Sequence, residues 1–375
     1  MENALKNVKF EISKDYETVF MTKNGIFQDG TSPMYRDTDG TLWAMSGHSH
    51  VGNIAVLKGT CLDDLKLQYF VSTNFSVGHA DYAFNGIRYP DGIKSRGSVW
   101  PFGLYICPKT HRFFCFFHNE TGWAGRGTAY DAHGYCEKPA YDSDFRHIGL
   151  MHSDDEGKTW TFDRWVVTGE QVCFCENFNP NNDVVIGQKN GRISLSSGDF
   201  SLFVNPNDDY MYLLYNIISV NTIERKWEDC HTYIARTRKR TDGVMGDFVK
   251  YYDGAFCEAG NLGKESVIAE NSWHARVVYS EKLKKYIMSS VECLPEKAAA
   301  AVTDRMQLRT SDDLVNWSDP IDVMNGEEFF GAHYVAVYPD DTESPISVIT
   351  GDEFSVLKNG NGTDVTRNKC KFLSF

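Results

Sequence analysis

The sequence predicts an all-β chain folded as a five-bladed β-propeller with four-stranded antiparallel blades, and three observations predict it. Five strand-turn-strand units recur in the same order along 375 residues, most are followed by a third apolar run and a second polar turn, and aromatic residues make up 14% of the chain. Runs of this length, rich in β-branched and aromatic residues and separated by Gly, Pro, Asn and Asp, read as hairpins. Hairpins repeated at a regular period mean a repeat fold, and four strands per repeat is the composition of a propeller blade.

The units follow in order. The first is Thr31–Tyr35, turn Arg36–Thr41 and Leu42–Ser46; the second is Pro101–Ile106, turn Cys107–Arg112 and Phe113–Phe117. Phe200–Val204, Asn205–Asp209 and Tyr210–Tyr215 form the third, and Ala275–Tyr279, Ser280–Lys285 and Tyr286–Ser289 the fourth. The fifth reads Tyr334–Tyr338, Pro339–Ser344 and Ile346–Ile349. Third strands are expected at Ile54–Leu57, Ile148–His152, Tyr233–Arg236 and Met306–Arg309, each leading to a further turn. The last unit is short of strands. Val356–Leu357 and Lys371–Phe375 supply its outer members, and Val8–Ile12 from the N-terminus closes the ring. The chain is thus expected to be one domain, residues 1–375, with blades near 26–72, 98–168, 198–255, 272–324 and 331–375.

Charge narrows the partners. Lys and Arg number 38 against 51 Asp and Glu, a formal net charge of -13, so phosphate-rich nucleic acids and anionic membranes would be repelled. No apolar run approaches the roughly 20 residues of a membrane span. The first residues lack the pattern of a signal peptide, so a cytoplasmic location is expected unless a leader has been removed. Ten cysteines are scattered without a C-x-x-C spacing. They read as reduced thiols, with Cys173 and Cys175 the pair best placed for an exception.

Two of the second turns carry a more specific signal. Ser153, Asp155, Gly157, Thr159 and Trp160 stand at the fixed positions of the Asp box of sialidases and related propellers, and Ser311, Asp313, Leu314, Asn316 and Trp317 resemble its looser form. The chain therefore resembles five-bladed glycoside hydrolases of the arabinanase and xylosidase type over about Asp29 to Glu353. In such families the box is a structural turn and carries no catalysis, which marks fold more strongly than activity.

Function should lie on the opposite face, because the connections there are long: Thr73 to Ser98, Asn119 to Arg146 and Thr168 to Gly198. At the upper ends of the inner strands stand Asp29, Trp100, Asp199, His274 and His333, four of them ionisable where a strand would ordinarily be apolar. His48, His50, His118, Glu120, Glu292, Asp352 and Glu353 are expected from the second strands, and His79 and Asp81 from the loop entering blade two. Carboxylates flanked by Trp100, Trp273 and Tyr334 suit glycoside cleavage, which needs a proton donor, a base or nucleophile, and aromatic faces for the sugar.

The resemblance implies that Asp29 is the base. The acid of those families is a glutamate from blade three, and here that place is held by Asp199, with Glu120 and Glu176 as competitors. Trp100, His50, His79, Asp81, His118, His274, Arg276, His333 and Tyr334 are the expected substrate contacts, the partner an oligo- or polysaccharide, and no cofactor is required. Three alternatives stand beside this reading. A divalent metal on the axial histidines would make the chain a carbohydrate deacetylase or metal-assisted hydrolase, although their spacing matches no ligand motif. A sialidase would need an arginine cluster, for which Arg88, Arg276 and Arg309 are available, but sialidases have six blades. A sugar-binding propeller without catalysis would need no ionisable residues on the axis.

Overall fold

The computed structural model describes residues 2–20, 29–30, 32–48, 54–71, 87–88, 98–120, 146–169, 192–221, 226–293, 305–325, 334–340, 345–360 and 364–374. They form a five-bladed β-propeller. Blade one is Met34–Arg36, Leu42–Gly47, Ile54–Gly59 and Lys66–Val71, paired antiparallel in sequence order. Blade two is Ser98–Ile106, Phe113–Glu120, Arg146–Ser153 and Trp160–Val167. Blade three is Arg192–Val204, Tyr210–Asn221, Lys226–Arg238 and Val249–Tyr252, with Ala255–Ala259 as a fifth, outermost strand. Blade four is Ser272–Ser280, Lys285–Glu292, Arg305–Ser311 and Ile321–Asn325.

Blade five closes the ring. Tyr334–Pro339, Glu353–Asn359 and Val365–Ser374 come from the C-terminal end, and Lys9–Phe20 from the other end of the chain completes it by pairing antiparallel with Val365–Ser374. One expected strand is displaced. Val348–Ile349 does not pair as the second strand of blade five; it makes a two-residue parallel ladder with Tyr279–Ser280 of blade four, where Tyr279 N–H donates to Ser347 O and Glu281 N–H to Ile349 O. The second strand starts at Glu353 instead. Asp352 and Glu353 consequently stand at the lower end of the blade, facing Lys282 and Lys371.

Alternation along each strand explains the core. In Leu42–Gly47, Leu42 and Ala44 pack toward blade five while Trp43 and Met45 pack toward blade two. In Phe113–Glu120 the residues Phe113, Cys115 and Phe117 face blade one, and Phe114 and Phe116 face blade three. A blade therefore has two apolar faces, and strands such as Phe113–Glu120 are buried along their whole length. Five hydrophobic clusters among the described residues fill the five junctions between neighbouring blades.

The two kinds of turn share one rim. Arg112, in the first turn of blade two, holds Asp154 in the second turn at 2.7 Å, and Lys285 and Asp312 are joined likewise in blade four. In the Ser153–Trp160 turn, Asp155 accepts from Thr159 N–H at 2.9 Å and from the Thr159 hydroxyl at 2.8 Å, while Ser153 and Asp155 are joined at 2.7 Å. Gly157 has φ 87°, and Trp160 Nε1–H donates to its carbonyl. Leu314 takes the corresponding left-handed position at φ 71°, and Trp317 donates to its carbonyl in the same way. Among the described residues, no helix is long and apolar enough to cross a membrane. Replacing Asp155 by Ala removes a carboxylate that serves three donors, and a loss of about 1–3 kcal/mol is expected in urea denaturation.

Candidate active site

The inner strands of blades two, three and four depart from regular pairing near their upper ends. Register shifts fall between Pro101 and Gly103, between Gly198 and Phe200, and between Trp273 and Arg276. Within two of these irregularities Asp199 has φ 37° and His274 φ 53°, a left-handed backbone that costs energy for a residue with a Cβ. Such bulges re-aim a side chain out of the sheet pattern. Asp199 and His274 are thereby brought to one place, with His274 Nε2 3.6 Å from Asp199 Oδ1.

Asp29 enters from the approach to blade one. It is followed by Gly30 at φ 143°, where a Cβ would lie 2.4 Å from the Phe102 ring, so only glycine lets the chain pass. Its carboxylate accepts from the Tyr334 hydroxyl at 2.8 Å and from Trp100 Nε1–H at 3.3 Å, and His48 Nε2 stands at 3.6 Å. His48 stacks on Trp100, and His274 stacks on Tyr334 with ring centres 4.1 Å apart. Four blades thus meet around Asp29 and its ring neighbours.

A second group of charges is organised by Arg146. Its Nη1 is 3.0 Å from Asp199 Oδ2 and its Nη2 3.1 Å from Glu120 Oε1, all three side chains being buried. Trp273 Nε1–H donates to Asp199 at 3.0 Å. His118 accepts the Asp199 backbone N–H at Nδ1 and turns Nε2 toward Glu120 Oε1 at 3.0 Å. Gly198 makes room for this, since a Cβ there would lie 2.6 Å from His118 and 2.8 Å from Arg146. In the sequence Arg146 marks only the end of a long connection. The signal it carries is a charged residue just ahead of the apolar run Ile148–Met151.

The environments separate the carboxyls electrostatically. Burial, together with the nearby Glu120 and Asp199 charges, raises Asp29 to about 6 against the pull of its Tyr334 and Trp100 hydrogen bonds. Burial works in the same sense on Asp199, but Arg146, His118 and His274 overcome it and hold that carboxyl well below the ordinary range. His118, Glu120 and Asp199 offer ligand atoms within 4.8 Å of one another, the spacing of a metal cluster. The Arg146 guanidinium already contacts both carboxylates, so the positive charge that a metal would supply comes from the protein.

Of the expected site residues, Asp29, Trp100, His118, Glu120, Asp199, His274 and Tyr334 are joined by these contacts. His50, His79, Asp81, His333 and Glu176 lie outside the described residues. Arg276 stands apart, lining a cavity further along the axis. Arg309 is buried in the third strand of blade four, donating to Ser290 Oγ and Glu270 O, and Ile87–Arg88 forms a two-residue strand beside Trp160–Thr161. Arg276 and Arg309 thus stand on different strands of blade four, and Arg88 on a strand at the edge of blade two.

Because folding raises the pKa of Asp29, its contribution to stability is fully present below its ordinary value of 3.8 and is lost as pH rises through about 6. An Asp29→Asn variant has no such loss. Its stability relative to the parent should therefore improve by about 2–3 kcal/mol between about pH 4 and about pH 8, measured by denaturant unfolding at each pH.

No protein-family model and no curated protein matches the chain. Solved structures do. An exo-β-1,3-galactanase from Phanerochaete chrysosporium is 12% identical, with 98% of this chain and 65% of that chain covered and a TM-score of 0.51. An endo-arabinase from Bacteroides thetaiotaomicron is 12% identical over 96% of this chain and 98% of its own, with a TM-score of 0.44. An α-L-arabinofuranosidase from Lactobacillus brevis is 9% identical over 93% and 94%, with a TM-score of 0.48. The chain spans about two thirds of the galactanase, and with it shares the fold of the five-bladed β-propeller glycoside hydrolases.

Proposed function

We propose that the chain is a glycoside hydrolase acting on an oligo- or polysaccharide, with Asp29 as its proton-transferring carboxyl. One observation carries the reading: a largely buried carboxyl from blade one meets fully buried ones from blades two and three, and their surroundings drive the acidities of Asp29 and Asp199 apart. Carboxyls so separated mark acid-base assignments in glycosidases. The fold shared with the galactanase supports the same class.

Asp29 is the general base. With a pKa of about 6 it is ionised at neutral pH yet more basic than an ordinary carboxylate, which favours proton removal from an attacking water. Asp199 is a fixed anion. Pinned by Arg146 and Trp273 and held well below the ordinary range, it has no proton to deliver, and its charge instead stabilises the positive charge developing on the sugar ring. The donor role that the resemblance assigned to Asp199 then passes to its competitors. Glu120 touches the cluster through Arg146 and His118, and Glu176 lies outside the described residues. Trp100, Tyr334 and Trp273 supply ring faces for the sugar.

With Asp29 as base, kcat/KM should rise with pH through about 6 and Asp29→Asn should lower turnover by about 10²–10⁴-fold. A rate that instead falls through that pH makes Asp29 the acid. The acid itself is identified by leaving-group dependence. Whichever of Glu120→Gln and Glu176→Gln keeps near-parental turnover on a dinitrophenyl glycoside, while losing it on the natural glycan, has lost only protonation of the leaving oxygen. Chelation should leave both substrates unaffected.

A further inference from the structure

The bulge that aims Trp273 and His274 at Asp199 is met by a side chain from the neighbouring blade. Asn216 lies in the middle of the second strand of blade three, between the buried residues Tyr215 and Ile217, and is itself 2% exposed. A primary amide buried in an apolar run needs acceptors for two N–H groups and a donor for its oxygen. Asn216 has both. Its Nδ2 stands 2.7 Å from Ser272 O, 3.0 Å from His231 O and 3.3 Å from Thr232 Oγ1, and its Oδ1 accepts the His274 N–H at 2.9 Å. These neighbours fix the orientation of the amide, since a flip would set its oxygen against the Ser272 carbonyl and its NH₂ against the His274 N–H.

The two blade-four groups belong to the peptides on either side of Trp273. In a parallel ladder a residue bonds the C=O before and the N–H after the residue opposite it. Here, where the inner strand of blade four loses regular register between Trp273 and Arg276, the Asn216 amide makes that same pair of bonds from a side chain. We propose that Asn216 is a positioning residue: by holding both peptides that flank Trp273 it sets the Trp273 indole on one oxygen of Asp199 and the His274 ring beside the other. The geometry follows that division. Trp273 Nε1–H donates to Asp199 Oδ2 at 3.0 Å, and His274 Nε2 stands 3.6 Å from Oδ1. The His274 N–H that its left-handed backbone, φ 53°, turns toward blade three thereby gains an acceptor. Its part in turnover rests on the glycosidase reading, in which Asp199 is the fixed anion.

Thr232 provides a comparison within the same junction. Its hydroxyl reaches Ser272 O and Ser272 Oγ, each at 3.0 Å, so it too ties blade three to blade four at that carbonyl. The His274 N–H, however, is served by Asn216. Loss of either side chain weakens the junction, whereas loss of Asn216 also releases the peptide that follows Trp273.

NMR of the full chain carrying ¹⁵N in its indole groups tests the proposal without substrate, the Trp273 signal being identified by its disappearance in Trp273→Phe. Asn216→Leu, close in volume but lacking the amide, should shift that signal and speed exchange of Trp273 Nε1–H with solvent by about tenfold or more. Turnover should fall by about 10²-fold, the cost of a misplacement of about 1 Å at a reacting centre. Thr232→Val should lower stability in urea while leaving the indole signal and turnover near the parental values. Should Asn216→Leu fail to fold, Asn216→Ser, whose hydroxyl is too short to span both peptides, carries the same measurements. An unmoved Trp273 signal in the Asn216 variant, or an equal disturbance in Thr232→Val, would overturn the assignment. A disturbed indole with parental turnover upholds the clamp and counts against Asp199 as the stabilising anion, so the two readings fail separately.

Discussion

The bridge made by Arg146 is the interaction on which the rest of the upper rim depends. Two buried carboxylates, Glu120 and Asp199, face one guanidinium at 3.1 and 3.0 Å, and without it their mutual repulsion and desolvation would force at least one to protonate. Taking away one partner of such a buried group typically costs about 3–5 kcal/mol, because the charge left behind has no compensation. The guanidinium also joins blades. Glu120 and Arg146 belong to neighbouring strands of blade two and Asp199 to blade three, and a parallel bridge between these blades, Ser196 to Arg146, falls at the same point.

Beside that bridge the backbone is strained at two residues of the site. Asp199 and His274 adopt left-handed backbone conformations that each cost of order 1–3 kcal/mol. The compensation is local: Asp199 N–H has His118 Nδ1 as acceptor, and His274 N–H has Asn216 Oδ1. Both bulges turn a side chain toward the axis without breaking the ladder below, where Phe200–Val204 and Arg276–Ser280 run in regular register. The apolar junctions between blades hold the frame rigid enough to keep those conformations in place.

The axis is divided by Phe102. Above it stand carboxyls among which burial, helped by the Glu120 and Asp199 charges, raises Asp29; below it the described wall carries Arg36, Lys239 and Arg276. A single aromatic ring, fixed by His118 on one side and set edge-on to Tyr334, therefore separates the two regions. The same Tyr334 that meets Phe102 donates to Asp29, so the position of the partition and the acidity of the proposed base are linked through one side chain.

How much of this was legible in the sequence follows from the range over which each feature is decided. Hairpins such as Phe113–Phe117 and the polar turns before them are decided by neighbours in the chain, so run length, alternation and turn chemistry predicted five blades, their inner strands and the closing strand from the N-terminus. Short-range pattern failed at Ile346–Ile349, where two apolar residues pair with blade four because its free edge competes for them. Asp29, Trp100, Asp199 and His274 were legible as polar or bulky interruptions at equivalent places in each repeat. Arg146 was not, since nothing near it in the chain shows that Glu120 and Asp199 will converge on it across the fold. By itself the sequence determined the repeat and the axial positions. Only the tertiary structure decided which carboxyl is raised, which is pinned, and that Arg276 belongs to a separate cavity, because burial and charge separation are properties of residues brought together from distant blades.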